Sequence, residues 1–251
     1  VVFLETSLDA GRLVSAVEVL AFVAYLRARF EQPQPDLIVG IGPLAGQLLM
    51  RHRAALFPQV PVLITALDAR EVPRALLRPG DMLVPTRLDL PGIVGAFLRV
   101  RPETQSIAVI FGNSDIERFW RRQVERDTAV HAGRVEFIWL DGLSLQQMKA
   151  RVAALPPNSA VFFALLIVDA AGIPHERLDA LAELKQAASV PVFSAFETEI
   201  GRGVLGGPHL SQSRMGREVA RLALHSLSGA RTPEPLLKTI ELDAPAYDGR
   251  E

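Results

Sequence analysis

The sequence contains no cysteine. Disulfides, thiolate metal sites and cysteine nucleophiles are therefore excluded, although this absence fixes no compartment. Aromatic residues make up only 6% of the chain, against 49% hydrophobic residues in total, a balance that suits aliphatic layered cores. Neither sign of charge prevails: 27 Lys and Arg stand against 28 Asp and Glu, for a net charge of −1. Composition thus gives no electrostatic case for nucleic acid. No apolar run is long enough to cross a membrane. The chain opens directly in VVFLE, without a basic leader or a Met, and reads as starting at a processed or internal boundary.

Catalytic motifs are also missing. There is no Gly-x-Ser-x-Gly elbow, P-loop or zinc motif, and Gly40-x-Gly42 lacks the third glycine of a dinucleotide fingerprint. His52, His131, His175, His209 and His225 show no metal-ligand spacing. No nucleophile stands beside a base. No catalytic residue, metal or cofactor is assigned, and the expectation is a protein that is not an enzyme.

What the sequence does contain is a rhythm of short apolar runs and helical segments. Val1 to Glu5 reads as a strand. Asp9 can cap a helix whose apolar face includes Leu13, Val17, Leu20 and Phe30. Runs at 36–40 and 61–66 read as buried strands around a helix opened by Gly42 and Pro43. Further strands are expected at 106–111, 135–140, 160–168 and 191–196, each linked by a helix, with a last strand at 238–243. The alternation predicts α/β architecture with parallel sheets covered on both faces.

One stretch organises the rest: PVFSAFETEIGRGVLGGPHLSQSRMG, from Pro191 to Gly216. It is a strand, then two acids and four glycines, then polar residues that can cap a helix near Ser211. This is where the chain is expected to change domain.

Three segments resemble a known family. PDLIVGIGPLAGQLLMRHRAALFPQVPVLITAL is similar to the first lobe of type I periplasmic solute-binding proteins, with Leu56 to Val62 the most telling step. PETQSIAVIFGNSD resembles the opening of the second lobe. VPVFSAFETEIGRGVLGGPHLSQSRMGREVARLALHSLSGARTPEP resembles the return crossing. The closest likeness is to ABC-transporter substrate-binding-like domains, including extracytoplasmic sensors of histidine kinases.

The resemblance implies two Rossmann-like lobes joined by a multi-crossing hinge. By that mapping the first lobe is 1–87 plus 202–233, and the second is 88–201 plus 234–251. The family begins with a strand and helix ahead of the segment matching Val1 to Glu5, and this first βα unit has no counterpart here.

Ligands of open α/β sheets bind beyond the carboxyl ends of the strands. The candidate ligand-binding residues there are Thr6, Gly42, Pro43, Leu44, Thr65, Asp68, Asn113, Ser114, Asp169, Phe196 and Glu197. Gly42 to Leu44 can offer backbone N–H groups at a helix start, or can simply form a tight turn. Asn113 and Ser114 can bond a ligand, or cap a helix. Thr65, Asp68 and Asp169 are strand-end acceptors or local caps. Phe196 can stack on a ligand and Glu197 can accept from one, or both can pack the hinge. The apolar run Leu165 to Val168 favours a less polar ligand. Arg118, Arg121, Arg122 and Arg126, interleaved with Glu117 and Glu125, read as a solvated helix face.

The expected function is extracytoplasmic small-molecule binding or sensing by cleft closure. The partners implied are a membrane permease or a linked kinase domain; no nucleic acid is expected, and a homodimer is a candidate assembly. The alternative is the ligand-binding domain of a LacI-type transcription regulator. A third reading, an α/β enzyme, would use the carboxylates near Asp115, Asp169 and Glu197.

Overall fold

Apolar runs of four to seven residues become parallel strands, and the segments between them become helices. A computed structural model describes residues 1–8, 16–72, 74–229 and 233–249. In chain order come α1 (Ala16–Arg29), β1 (Ile38–Ile41), α2 (Pro43–Leu56), β2 (Val62–Asp68), β3 (Met82–Arg87), α3 (Leu90–Val100), β4 (Ser106–Phe111) and α4 (Asp115–Thr128). They are followed by β5 (Glu136–Trp139), α5 (Leu145–Ala153), β6 (Ser159–Leu165), α6 (Arg177–Ala187), β7 (Val192–Phe193), β8 (Gly206–His209) and α7 (Gln212–Leu227). The chain ends with β9 (Leu236–Leu237), β10 (Ile240–Glu241) and β11 (Asp243–Tyr247).

The chain divides into two units, Val1–Arg87 with Ser213–Glu241, and Leu88–Gln212 with Leu242–Glu251. It therefore crosses between them three times. The second and third crossings lie later than the 201/202 and 233/234 expected from sequence. The reason is strand pairing. β8 pairs with β11 inside the second unit, while β9 and β10 both pair with β3 inside the first. The single last strand expected at 238–243 is accordingly three short ones.

The first unit carries the order β1-β2-β3-β10, every pair parallel. Gly46 lets α2 settle on this sheet, since a β-carbon there would stand 3.0 Å from Ile64 Cγ2. Leu49, Met50, Val62, Ile64, Leu67 and Leu83 form one cluster, and Leu26 of α1 joins Leu48, Leu56, Phe57 and Val60 in another.

Two expectations fail here. Val1–Glu5 forms no strand, and Val1, Val2 and Phe3 are exposed. A strand needs a neighbour for its backbone groups, and β1 pairs only with β2 among the described residues. Val17 and Leu20 do not face the core either; both are exposed, at 76% and 58%. Leu26 is buried on α1, with Val19, Phe22, Val23 and Phe30 packed against the same cluster. Asp9 and Leu13 lie outside the described residues.

The second unit carries the order β5-β4-β6-β7, again all parallel. Every residue of β4 is buried. Ala108 and Ile110 enter one core, Ile107, Val109 and Phe111 the other, as alternation across a doubly covered sheet demands. Phe193 stacks on Phe97 at 4.1 Å and on Phe162 at 4.8 Å, measured between ring centroids. Truncating such a buried ring costs about 3–5 kcal/mol. β7 is shorter than the strand expected at 191–196, because Phe196 already bridges to Leu210 and a 3-10 turn follows at Glu197–Glu199.

Candidate functional site

In the first unit the strand ends gather Gly42, Pro43, Leu44, Thr65 and Asp68. Gly42 stands at φ 90°, which favours glycine, and Pro43 opens α2. The Gly42 amide donates to Thr65 O at 2.9 Å, so the β1–α2 turn is tied to the end of β2. No side chain caps α2. Its first N–H groups lie in the half-buried stretch 42–45, and the helix dipole points positive there.

Past Thr65 the register between β2 and β3 slips by one residue, so that Asp68 rather than Leu67 lies opposite Thr86. Ala66 sits at φ 56° in this bulge. Thr65 is buried and its hydroxyl donates to Val84 O at 3.1 Å. Asp68 is buried too, and its carboxylate accepts from the Arg70 amide at 2.9 Å and from Arg70 Nε at 2.7 Å. Burial, then the charge of Asp68, push the neighbouring Glu71 carboxyl up from its ordinary value. Thr6 lies apart from this group in sequence, in the irregular stretch Val1–Leu8.

In the second unit the strand ends bring together Asn113, Ser114, Asp169, Phe196 and Glu197 through their loops. Asn113 N donates to Val168 O at 2.7 Å, joining the β4 and β6 loops. Asn113 itself is exposed, and its side-chain oxygen accepts from Arg118 at 3.2 Å. Ser114 caps α4 in a reciprocal box with Glu117.

Three carboxylates fix these loops, and two of them, Glu117 and Glu199, are fully buried. Glu117 therefore does not belong to the solvated helix face expected from the sequence, because its side chain turns inward to bond loop amides. Glu117 accepts from Ser114 N at 2.9 Å and from Ile167 N at 2.5 Å, so one side chain holds both the start of α4 and the loop after β6. The Ser-x-x-Glu spacing at 114–117 was a readable signal for the first of these bonds. Glu199 accepts from Arg177 Nε and from Ser194 Oγ. No pattern in the sequence marks that group, whose members lie 5 to 22 residues apart. Arg177 also donates to Ala164 O at 3.2 Å, and its guanidinium carbon lies 4.8 Å from the Phe163 ring and 4.4 Å from the Phe196 ring.

Asp169 is the third. It accepts from Leu145 N at 3.0 Å, Ala171 N at 2.9 Å, Ile173 N at 3.0 Å and His175 Nε2 at 3.0 Å. Burial alone would raise its pKa, but these hydrogen bonds outweigh burial and hold the carboxyl below the usual range. Carboxylates so engaged anchor loops. Glu197 is half-buried and accepts from Ser211 Oγ at 2.9 Å. Phe196 is half-buried beside it. Among the described residues no group of three or more His, Asp or Glu could hold a metal ion, and no helix is long and apolar enough to cross a membrane. A groove lined by Arg221, Leu222, His225, Leu236, Leu237 and Lys238 contains none of the candidate residues.

Two parallel sheets, three crossings and loops gathered at the strand ends can be set beside solved structures. An ABC domain in complex with L-Trp from Streptococcus pneumonia aligns at a TM-score of 0.64 with 16% identity, over 94% of this chain and 77% of that one. The chain has the type I periplasmic-binding fold. An ABC transporter solute-binding protein from Agrobacterium vitis with bound allitol gives 0.57 with 16% identity, over 92% and 81%. A LacI transcriptional regulator from a Rhodococcus species gives 0.54 with 16% identity, over 89% and 81%. No protein-family model and no curated protein matches the sequence.

Proposed function

We propose that this chain is a small-molecule binding domain that takes its ligand at the strand-end loops. The observation that carries this reading is how those loops are built. Glu117 and Asp169 bond the loop backbone from behind and Glu199 bonds the Arg177 and Ser194 side chains, while Asn113, Phe196 and Glu197 keep partial exposure on the same loops. A preorganised frame with a few polar groups and an aromatic suits recognition. The half-buried start of α2 offers amide donors to a polar or anionic ligand group in the same way. Ligand binding would draw the two lobes into a closed state, a common switching motion. An extracytoplasmic solute receptor or sensor fits, read by a permease or a linked kinase. The ligands named for the solved structures, L-Trp and allitol, differ in chemistry, so the screen must be broad.

A thermal-shift panel of sugars, amino acids, aromatic acids and nucleosides tests the reading. One class is expected to raise the melting temperature saturably, with the shift lost in Phe196→Ala and in Asn113→Ala. No shift with any class would overturn it.

The second reading is the ligand-binding domain of a LacI-type regulator, favoured by three such regulators among the similar structures. A helix-turn-helix encoded upstream of Val1 would establish it. A signal peptide or membrane helix there would establish the extracytoplasmic reading.

A further inference from the structure

Arg177 is the first residue of α6, and its guanidinium joins the ends of β6 and β7 in the second unit. Nε donates to one oxygen of Glu199, whose other oxygen accepts from Ser194 Oγ. Nη1 donates to Ala164 O at 3.2 Å. The remaining nitrogen, Nη2, is buried yet has no hydrogen-bond partner among the described residues. A buried donor in that state needs a physical reason. Two aromatic rings supply it. The guanidinium carbon lies 4.8 Å from the ring centre of Phe163 and 4.4 Å from that of Phe196, within the range of cation–π attraction. Arginine suits this place because its planar group can bond a carboxylate at one edge and lie flat on a ring.

The two rings differ in their surroundings. Phe163 belongs to β6 and is fully buried in the core. Phe196 is half-buried and leads into the turn that carries Glu197. The contacts thus run outward from a fixed core ring, through the guanidinium, to a ring on a candidate ligand loop. Glu199 and Ser194 are buried themselves, so the anchor of the guanidinium is fixed as well. Ala164 and Leu165 pack against the same cluster as Phe196, and Glu199 balances the charge of Arg177 behind the ring. An apolar ring with no net charge behind it suits a neutral planar or apolar part of a ligand.

We infer that Arg177 is a positioning residue for Phe196: without touching the ligand, it holds the ring at the angle at which an uncharged planar or apolar group stacks. The inference rests on the ligand-binding reading above and gives Arg177 a role beyond the stability of its ion pair. A ring fixed in advance loses less freedom when the ligand arrives, and binding gains accordingly.

Fluorine NMR of the whole chain, labelled with fluorophenylalanine, tests the hold on the ring without any ligand. The chain has 12 phenylalanines, and the Phe196 resonance is the one lost in Phe196→Leu. The wild type is expected to give one narrow Phe196 resonance. Arg177→Lys keeps a positive charge beside Glu199 but lacks the flat group. It is expected to shift and broaden that resonance while the melting temperature stays near wild type. Glu199→Gln leaves the guanidinium over both rings and is expected to do the reverse, lowering the melting temperature with the resonance little changed. These opposite responses separate positioning from general support. Indole then serves as an uncharged planar probe. It is expected to move the Phe196 resonance saturably in the wild type, and to bind about tenfold more weakly to Arg177→Lys. An unchanged resonance in Arg177→Lys, or equal indole affinity in the two proteins, would overturn the inference. So would resonance changes that merely follow the melting temperature across the variants. A ring ordered by Arg177 that indole never reaches would overturn the ligand-binding reading of Phe196 while the hold of Arg177 on the ring stood.

Discussion

The carboxylate of Glu117 occupies the space that a side chain at Gly112 would need. A β-carbon on Gly112 would lie 2.0 Å from Glu117 Oε1 and 2.3 Å from Val168 O. The second of these is backbone and cannot swing aside. Gly112→Ala should therefore destabilise the second unit by about 1–3 kcal/mol, the usual range for overpacking a close-packed site. Urea unfolding would show it as a lower midpoint with an unchanged slope. A midpoint equal to wild type would mean that the carboxylate is not seated there.

Arg177 and Glu199 form a second testable pair. Glu199 is fully buried, and Arg177 supplies its charge partner. Arg177→Met leaves a buried carboxylate with only Ser194 to satisfy it, and should cost about 3–5 kcal/mol. The double variant Arg177→Met with Glu199→Gln removes the orphaned charge and should recover at least roughly half of that loss. Equal losses in the single and double variants would show that the ring contacts of Arg177 with Phe163 and Phe196 matter more than its charge.

Asp169 sets an acid limit. Its carboxyl titrates below the usual range in the folded state, against about 3.9 when unfolded. A group depressed in this way stabilises the fold above the unfolded value, and the stabilisation disappears as pH falls through the folded value. Stability should therefore be insensitive to this group from neutral pH down to about 5 and should fall below about 4. Asp169→Asn should be weaker at pH 7 and should lose less on acidification. Parallel acid profiles of the two proteins would refute the assignment.

Ala66 holds a left-handed backbone angle at the end of β2. An L-residue there costs about 1–2 kcal/mol, whereas glycine gives up about 0.5–1 kcal/mol of chain freedom instead. Ala66→Gly should then stabilise the fold by roughly 0.5–1 kcal/mol. A lower urea midpoint would show that the bulge is held by its methyl group.

Much of the fold was legible because strands buried on both faces read as unbroken apolar runs. Ile107 to Phe111 and Ala160 to Leu165 are such runs. What failed depended on neighbours that the sequence does not display. VVFLE has the composition of a strand but pairs with no strand among the described residues. Leu20 looks inward on a helical wheel only until Phe22 and Leu26 prove to hold the inner side. The crossing after β7 lies beyond the glycines at 201 to 207, because β8 is held in the second unit by β11, which begins 34 residues after β8 ends. At the candidate site the positions could be read, but the state of their polar atoms could not. Asp169 bonds Leu145 at a separation of 24 residues, and Thr65 bonds Val84 at 19.

The three crossings have a consequence for biosynthesis. The first unit begins at the N-terminus, yet its edge strand β10 ends at Glu241. The second unit likewise waits for β11 to cover β8. A ribosome working through this stretch completes neither unit before residues 240–247, which carry β10 and β11, have emerged. Both then become completable almost at once. A stop codon near residue 235 would thus leave two incomplete units rather than one sound and one damaged.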